Sequence, residues 1–344
     1  MRVNKTMLAA VLKSFNEDLV LEQVPVPVPG EREVLLKVLA SGLCGSDLHI
    51  QEGKIKSVRL PHIPGHEIAG SVEILGPGCK RLKEGDRVVA SIDITCGACR
   101  FCRTGHTNLC RKLSRIGFER NGAHAEYVIV PEDNLFPVDP AMPMEKAALI
   151  PDSVSCMYHA MKNQGKVRAG DRVCILGIGG LGIQGVQIAR YFGAEVFCTS
   201  RQDEKLKIAR DFGANHTINT KSEDLKSEIS RLTDGDMCDV VFDNIGISSS
   251  IQQSLDIVRP GGKVIVVGYI DPEFTASYQD VMINEKEIIG IRASNRQDLV
   301  ESIRLVEKGI VDPYIFSIMP LSQINEALHR LHEGKSLGRT VMIP

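Results

Sequence analysis

Up to about Pro140, apolar positions fall in short runs cut by Gly and Pro: Glu33-Val34-Leu35-Leu36-Lys37-Val38, Ile68-Ala69-Gly70-Ser71-Val72, Asp86-Arg87-Val88-Val89-Ala90 and Tyr127-Val128-Ile129-Val130. Such runs predict the strands of an irregular β domain. From about Asp171 the texture changes. Strand candidates at Arg172–Leu176, Val196–Thr199, Asp239–Phe242 and Lys263–Val267 alternate with helical stretches whose apolar residues recur at i, i+4 and i+7. Leu225, Ile229 and Leu232 form one such stripe, and Ile251, Leu255 and Val258 another. The alternation is the signature of βαβ units and a doubly wound parallel sheet. Beyond Gly290 come two amphipathic helices, around Leu299, Ile303 and Val306 and around Ile324, Leu328 and Leu331, then a terminal strand Thr340–Ile343. The pattern leaves open whether this tail extends the second domain or returns to the first.

A chain of 344 residues has room for two cores. Its formal charge of -2, with acids and bases mixed along the sequence, gives no electrostatic reason to expect nucleic acid or a membrane surface as partner. The expected ligand is a small molecule. No apolar run approaches the roughly 20 residues that span a bilayer. The opening Met1–Lys5 is polar and leads into Ala9-Ala10-Val11-Leu12, unlike the charged-then-apolar texture of a signal peptide. Ten cysteines in a chain this long point to metal binding rather than to a disulfide scaffold, so a reducing cytoplasm is the expected compartment.

Cys96, Cys99, Cys102 and Cys110 follow a C-x2-C-x2-C-x7-C pattern. Four thiolates so close in sequence can enclose one tetrahedral Zn2+ with no open position, which makes a structural site. An iron–sulfur cluster is the rival, but the usual bacterial run closes with a shorter gap and a Cys-Pro, and both are missing. A second, scattered set comprises Cys44 with Ser46, Asp47 and His49, then Gly65-His66-Glu67, then Pro151-Asp152. Cys, His and carboxylate can supply three ligands and leave a fourth position for substrate. Taken singly these residues read as a small core cysteine, a surface His-Glu pair and a helix-capping Asp.

Val173-Cys174-Ile175-Leu176 runs into Gly177-Ile178-Gly179-Gly180-Leu181-Gly182 and a helix. In this strand–turn–helix setting Gly177 makes the turn, Gly179 admits a pyrophosphate, and Gly182 lets helix and strand pack closely. The helix N-terminus, opened by Gly180 and Leu181, then faces the phosphates. A packing-only glycine turn is the alternative. The second strand ends in Ser200-Arg201, with Lys205 shortly after, and its one acid, Glu195, is at the far end. Without an acid for the ribose 2′-OH and with a guanidinium beside it, a 2′-phosphate is favoured, so NADP(H) is expected over NAD(H).

Together these segments resemble the zinc-containing medium-chain alcohol dehydrogenases over essentially the whole chain, through Cys44-x-Ser46-Asp47, Gly65-His66-Glu67 with Gly70, the four-cysteine lobe and the glycine turn. The resemblance implies an α/β protein with a GroES-like irregular β catalytic domain (1–151 and 292–344) and a Rossmann domain (152–291). It implies two Zn2+ per chain. Cys44 and His66 would bind the catalytic one, with Glu67 beside it. Asp152 falls where many relatives have a third, cysteine ligand, as the Pro-Asp of bacterial secondary alcohol dehydrogenases does. Ser46 has the hydroxyl to take the alcohol proton, His49 matches an outer relay residue, and Asp47 would accept the other ring N–H of His66. Arg339 matches an arginine that approaches the pyrophosphate, and Gly122-Ala123-His124-Ala125 would border the pocket. The expected activity is hydride transfer between a secondary alcohol or polyol and the nicotinamide, in a homo-oligomer, tetramer before dimer. The alternatives are an NAD-dependent polyol or threonine dehydrogenase and a catalytically silent dinucleotide-binding protein.

Overall fold

A computed structural model describes residues 5–344, so Met1–Asn4 of the polar opening lies outside the described residues. The chain divides into two units, one running up to Asp152 and taking in Asn295–Gly309 and Pro313–Pro344, the other holding Ser153–Ser294 with Ile310–Asp312. These limits differ from the sequence boundaries at Asp152, which falls in the first unit, at Arg292–Ser294, which fall in the second, and at Ile310–Asp312, for which there is a local reason. Asp312 donates its N–H to Gln187 Oε1 at 2.7 Å, and Gln187 Nε2 returns a bond to the Asp312 carbonyl at 2.9 Å.

In the first unit the long strand Glu33–Leu43 is the organising element. It pairs antiparallel with Glu67–Leu75, Tyr127–Pro131 and Arg339–Ile343. Ile315–Pro320, Arg87–Ala90 and Leu135–Pro137 complete the sheet. The tail belongs to this unit. Leu299 and Ile303, from the helix Arg296–Glu307, pack with Ala40, Val89 and Ile150, while Ile324 and Leu328 pack with Leu43 and Met342.

The second unit is a six-stranded, wholly parallel sheet, its strands lying in the order His216–Asn219, Glu195–Ser200, Arg172–Leu176, Cys238–Asp243, Val258–Val266 and Glu287–Gly290. In sequence terms this is the 3-2-1-4-5-6 order of the Rossmann fold. Val173, Cys174 and Ile175 are completely buried, as expected of a central strand covered on both faces. Val258, read from its spacing as the last residue of a helical stripe, instead opens a strand, because the helix Ser248–Ile257 stops one residue earlier. Among the described residues no helix is long and apolar enough to cross a membrane.

Candidate functional site

The sulfurs of Cys96, Cys99, Cys102 and Cys110 lie within 4.8 Å of one another. Cys99 and Cys102 are 3.6 Å apart and Cys96 and Cys102 4.0 Å. Backbone N–H groups point at the sulfurs, from Cys99 to Cys96 Sγ at 3.4 Å and from Cys96 to Cys110 Sγ at 3.3 Å. Such donors favour thiolates: backbone bonds from Arg111 and Cys102 hold the Cys99 thiol down at about 6. Burial and the adjoining thiols push Cys102 up to about 11. Four thiols this close cannot all ionise at neutral pH unless a cation sits among them.

The second set is assembled by one strand pairing and one helix start. Antiparallel register places Gly42 opposite Glu67, which brings the end of Glu33–Leu43 beside His66 and Glu67. Cys44 then precedes the helix Gly45–Gln51, and the Asp47 carboxylate accepts the Cys44 N–H at 2.8 Å, fixing the turn. Asp152 arrives on the helical turn Ile150–Val154. Donor atoms of Cys44, His66, Glu67 and Asp152 all lie within 4.8 Å of one another. Asp152 Oδ2 is 3.6 Å from Cys44 Sγ and 4.0 Å from His66 Nε2. Ligands on a tetrahedral zinc stand about 3.3–3.8 Å apart, given bonds of about 2.0–2.3 Å, so the thiol–carboxylate distance lies within that range and the imidazole–carboxylate distance a few tenths of an ångström beyond it, a set that fits the ion after a small closing shift.

The electrostatics of the set are those of a site short of positive charge. Burial pushes the Glu67 carboxyl up; Arg339 opposes this, while Asp152 and Cys44 add to it. Burial likewise works against ionised Asp47, but the charge of His66 and the ring nitrogens of His124 and His66 facing it hold its carboxyl well below the usual range. Arg339 is the unforeseen member. The resemblance carries it to a pyrophosphate, yet its guanidinium lies buried on two carboxylates, with Nη2 2.7 Å from Glu67 Oε1 and 3.1 Å from Asp152 Oδ2. Its place follows from the register of Arg339–Ile343, which sets Thr340 opposite Leu43.

Ser46 and His49 share the helix Gly45–Gln51 with Asp47. Burial, aided by the charge of Lys54, lowers the His49 pKa. Phe118 packs its ring on His66 at 5.0 Å. In the segment read as bordering the pocket region, Ala123, His124 and Ala125 are wholly buried; Ala123 and His124 donate their N–H groups to the carbonyls of Gly65 and Pro64, and Ala125 bridges Ala9.

The glycine turn follows Arg172–Leu176 and opens the helix Gly182–Tyr191. A Cβ on Gly182 would stand 2.3 Å from the Gly177 carbonyl oxygen, whereas one on Gly179 would meet nothing within 4 Å. The first is therefore a packing glycine and the second borders open space. At the end of strand two Ser200 Oγ accepts the Gln202 N–H at 3.1 Å, and Arg201 is exposed. Lys205 follows on the helix Asp203–Asp211; burial, and after it the charge of Arg201, lowers its pKa. Glu195, at the opposite end, is engaged by His216 at 2.8 Å. Sequence reasoning missed Asn244, just beyond Cys238–Asp243, whose amide nitrogen and oxygen are both buried without a hydrogen-bond partner. Its signal was a polar residue at the carboxyl end of a central parallel strand, where ligands of such sheets bind.

Residues 30–140 match the alcohol dehydrogenase GroES-like domain family and residues 180–308 the zinc-binding dehydrogenase family. An alcohol dehydrogenase of Geobacillus stearothermophilus is 33% identical over 98% of this chain and 99% of its own. A sorbitol dehydrogenase of Bacillus subtilis is 33% identical over 99% and 98%. A crystal structure of an NAD-dependent alcohol dehydrogenase superposes with a TM-score of 0.93 at 31% identity, covering 98% of this chain and 100% of that one. On these matches and on its GroES-like and Rossmann architecture, the chain belongs to the zinc-binding medium-chain alcohol dehydrogenases, enzymes that use a nicotinamide cofactor.

Proposed function

We propose that this dehydrogenase acts on secondary alcohols or polyols with NADP(H), with a catalytic zinc on Cys44, His66 and Asp152 and a structural zinc on Cys96, Cys99, Cys102 and Cys110. The observation that carries the reading is the buried thiol, imidazole and carboxylate set, with its donor atoms within 4.8 Å of one another. When bound, zinc supplies Lewis acidity toward an alcohol or carbonyl oxygen, and the nicotinamide supplies the hydride acceptor or donor.

The chain's own residues do the rest. Cys44, His66 and Asp152 are the ligands, and Glu67 stays beside them on Arg339. Asp47 takes the Nδ1–H of His66, which leaves Nε2 as the donor atom. The Ser46 hydroxyl, two residues after Cys44, receives the substrate hydroxyl proton and passes it toward His49. Gly177, Gly179, Gly180, Leu181 and Gly182 hold the pyrophosphate at the helix N-terminus.

The choice of NADP(H) is supported by two cations, Arg201 at the end of strand two and Lys205 on the helix that follows. Arg201 already disfavours the charged form of Lys205, and an anionic 2′-phosphate relieves that repulsion. The polyol option draws on the sorbitol dehydrogenase among the relatives. The reading includes a cytoplasmic homo-oligomer, a tetramer before a dimer, which sedimentation checks.

The decisive experiment is an activity screen over secondary alcohols, polyols and amino alcohols with NAD+ and NADP+ in parallel. Turnover of a secondary alcohol or polyol, with higher kcat/KM for NADP+ and a preference that falls in Arg201→Ala, is the expected result. Preference for NAD+ removes the cofactor assignment. Cofactor binding without turnover of any alcohol leaves a silent dinucleotide-binding protein.

A further inference from the structure

We infer that His124 is a positioning residue for the metal centre, acting through Asp47 in a buried chain Ser41, His124, Asp47, His66 that sets how tightly the Cys44, His66 and Asp152 site holds its ion. The inference rests on the metal site proposed above.

All four side chains are at most 2% exposed. Asp47 Oδ1 faces two imidazoles, His66 Nδ1 at 3.5 Å and His124 Nε2 at 3.7 Å. Its other oxygen is occupied by the Cys44 N–H. On the far side of His124, Nδ1 lies 3.2 Å from Ser41 Oγ. One arrangement of protons sets a donor against an acceptor at every contact, although the two approaches to Asp47 are too long for hydrogen bonds and leave those atoms without a bonded partner. Ser41 donates its O–H to His124 Nδ1, which leaves His124 Nε2–H directed at Asp47. His66 directs its Nδ1–H at the same oxygen, and its Nε2 lone pair is left for the metal. The opposite tautomer of His124 would set a lone pair against a carboxylate oxygen inside the protein.

Both imidazole contacts are longer than the 2.7–3.2 Å range of ordinary N–H···O bonds, so the attraction is largely Coulombic and Asp47 is poised between two rings. Removing the His124 nitrogens would leave a buried carboxylate oxygen with half its compensation, and such groups are costly when unsatisfied. The carboxylate would then be less able to hold the His66 ring in its ligating orientation. The backbone supports this role. Gly122 and His124 donate N–H bonds to the carbonyls of Ile63 at 2.6 Å and Pro64 at 3.0 Å, tying the segment to the strip that carries His66. Gly65, at φ +100°, is where the ring needs space: a Cβ there would stand 2.7 Å from the His124 nitrogen and 2.8 Å from Nδ1.

The test uses the full-length protein and its His124→Phe, His124→Gln and Ser41→Ala variants. Affinity for Zn2+ is read by competition with a chromophoric chelator, and ligand geometry by the visible spectrum after Co2+ substitution. His124→Phe removes a group one step behind Asp47, the direct partner of a ligand, and should weaken binding at the Cys44 and His66 site by about 10-fold, the low end of what losing a direct partner costs. The four-cysteine site should be unchanged, and the Co2+ bands should shift. His124→Gln keeps an N–H donor and should recover most of the affinity, while Ser41→Ala should lose about 3- to 10-fold by freeing the tautomer. Wild-type affinity in a folded His124→Phe overturns the inference, as does equal weakening by Phe and Gln, which would make the ring a packing element. If His124→Phe does not fold, wild-type affinity in Ser41→Ala overturns it alone. A wild-type protein that binds no metal at Cys44 and His66 defeats the metal reading instead, so the two failures are distinct.

Discussion

Asp152 answers to three neighbours, standing 3.1 Å from the Arg339 guanidinium, 3.6 Å from Cys44 Sγ and 4.0 Å from His66 Nε2. An oxygen donor here makes the site harder than two thiolates and an imidazole would, so other divalent ions should compete better with zinc. Asp152→Ala should empty this centre and leave the four-cysteine lobe loaded, whereas Asp152→Cys should hold zinc about tenfold more tightly in chelator competition. Full metal content in Asp152→Ala removes the residue from the ligand set. A second residue-scale prediction concerns Glu119. Burial opposes its ionisation, but bonds from Arg115 and Ser57 hold its carboxyl at about 2, and Arg115 in turn lies 4.1 Å over the Phe118 ring that packs on His66. A depressed carboxylate stabilises the fold above the ordinary value near 4.5, and that contribution is lost as pH falls toward about 2. Glu119→Gln should therefore cost about 1 kcal/mol at pH 7 for a partly exposed pair, and the gap from wild type in urea midpoints should close across that window. The ligand candidates themselves were legible because residue type and spacing express their chemistry locally. Arg339 on Glu67, and His124 on Asp47, were not, since both contacts depend on which segments come to lie side by side.

At the scale of elements, the turn Gly177 to Gly182 shows two glycines with different duties. Gly182→Ala sets a methyl against the Gly177 carbonyl, so it should lower stability by about 1–3 kcal/mol and weaken dinucleotide binding together. Gly179→Ala meets open space in the structure and should leave the unfolding midpoint unchanged while cutting NADPH affinity, read by fluorescence titration. Equal behaviour of the two variants would contradict this division. The inner strands of the same sheet were readable because a strand buried on both faces is a continuous apolar run. His216–Asn219 and Glu287–Gly290 were not, being four-residue edge strands, the first carrying His, Thr and Asn. Ile315–Pro320, too, hides its period: five of its six positions are only partly covered or exposed around a single buried Met319, and it ends in Pro.

At the scale of the whole molecule, both candidate ligand sets lie in the first unit, and the entire glycine turn lies in the second. Each unit has its own apolar core, the one built around Val34, Leu36 and Val72, the other around Cys174, Phe197 and Val241. A ligand that binds the folded state stabilises what it touches by RT ln(1 + L/Kd), where L is its free concentration. Metal and dinucleotide should therefore mark different stretches of the chain in hydrogen exchange. Chelation should raise exchange first across Asp93–Arg115, where backbone N–H groups are held on sulfur, and across Gly42–Glu67, where the second set is strung. Strand Arg172–Leu176 and its neighbours should keep their protection under chelation. Added NADPH should slow exchange at Gly177–Gly182 and at the end of strand two, around Ser200 and Arg201, in metal-loaded and metal-stripped protein alike. If chelation instead loosened the parallel sheet as early and as far as the cysteine lobe, the metals would be holding the whole chain rather than the unit that supplies their ligands.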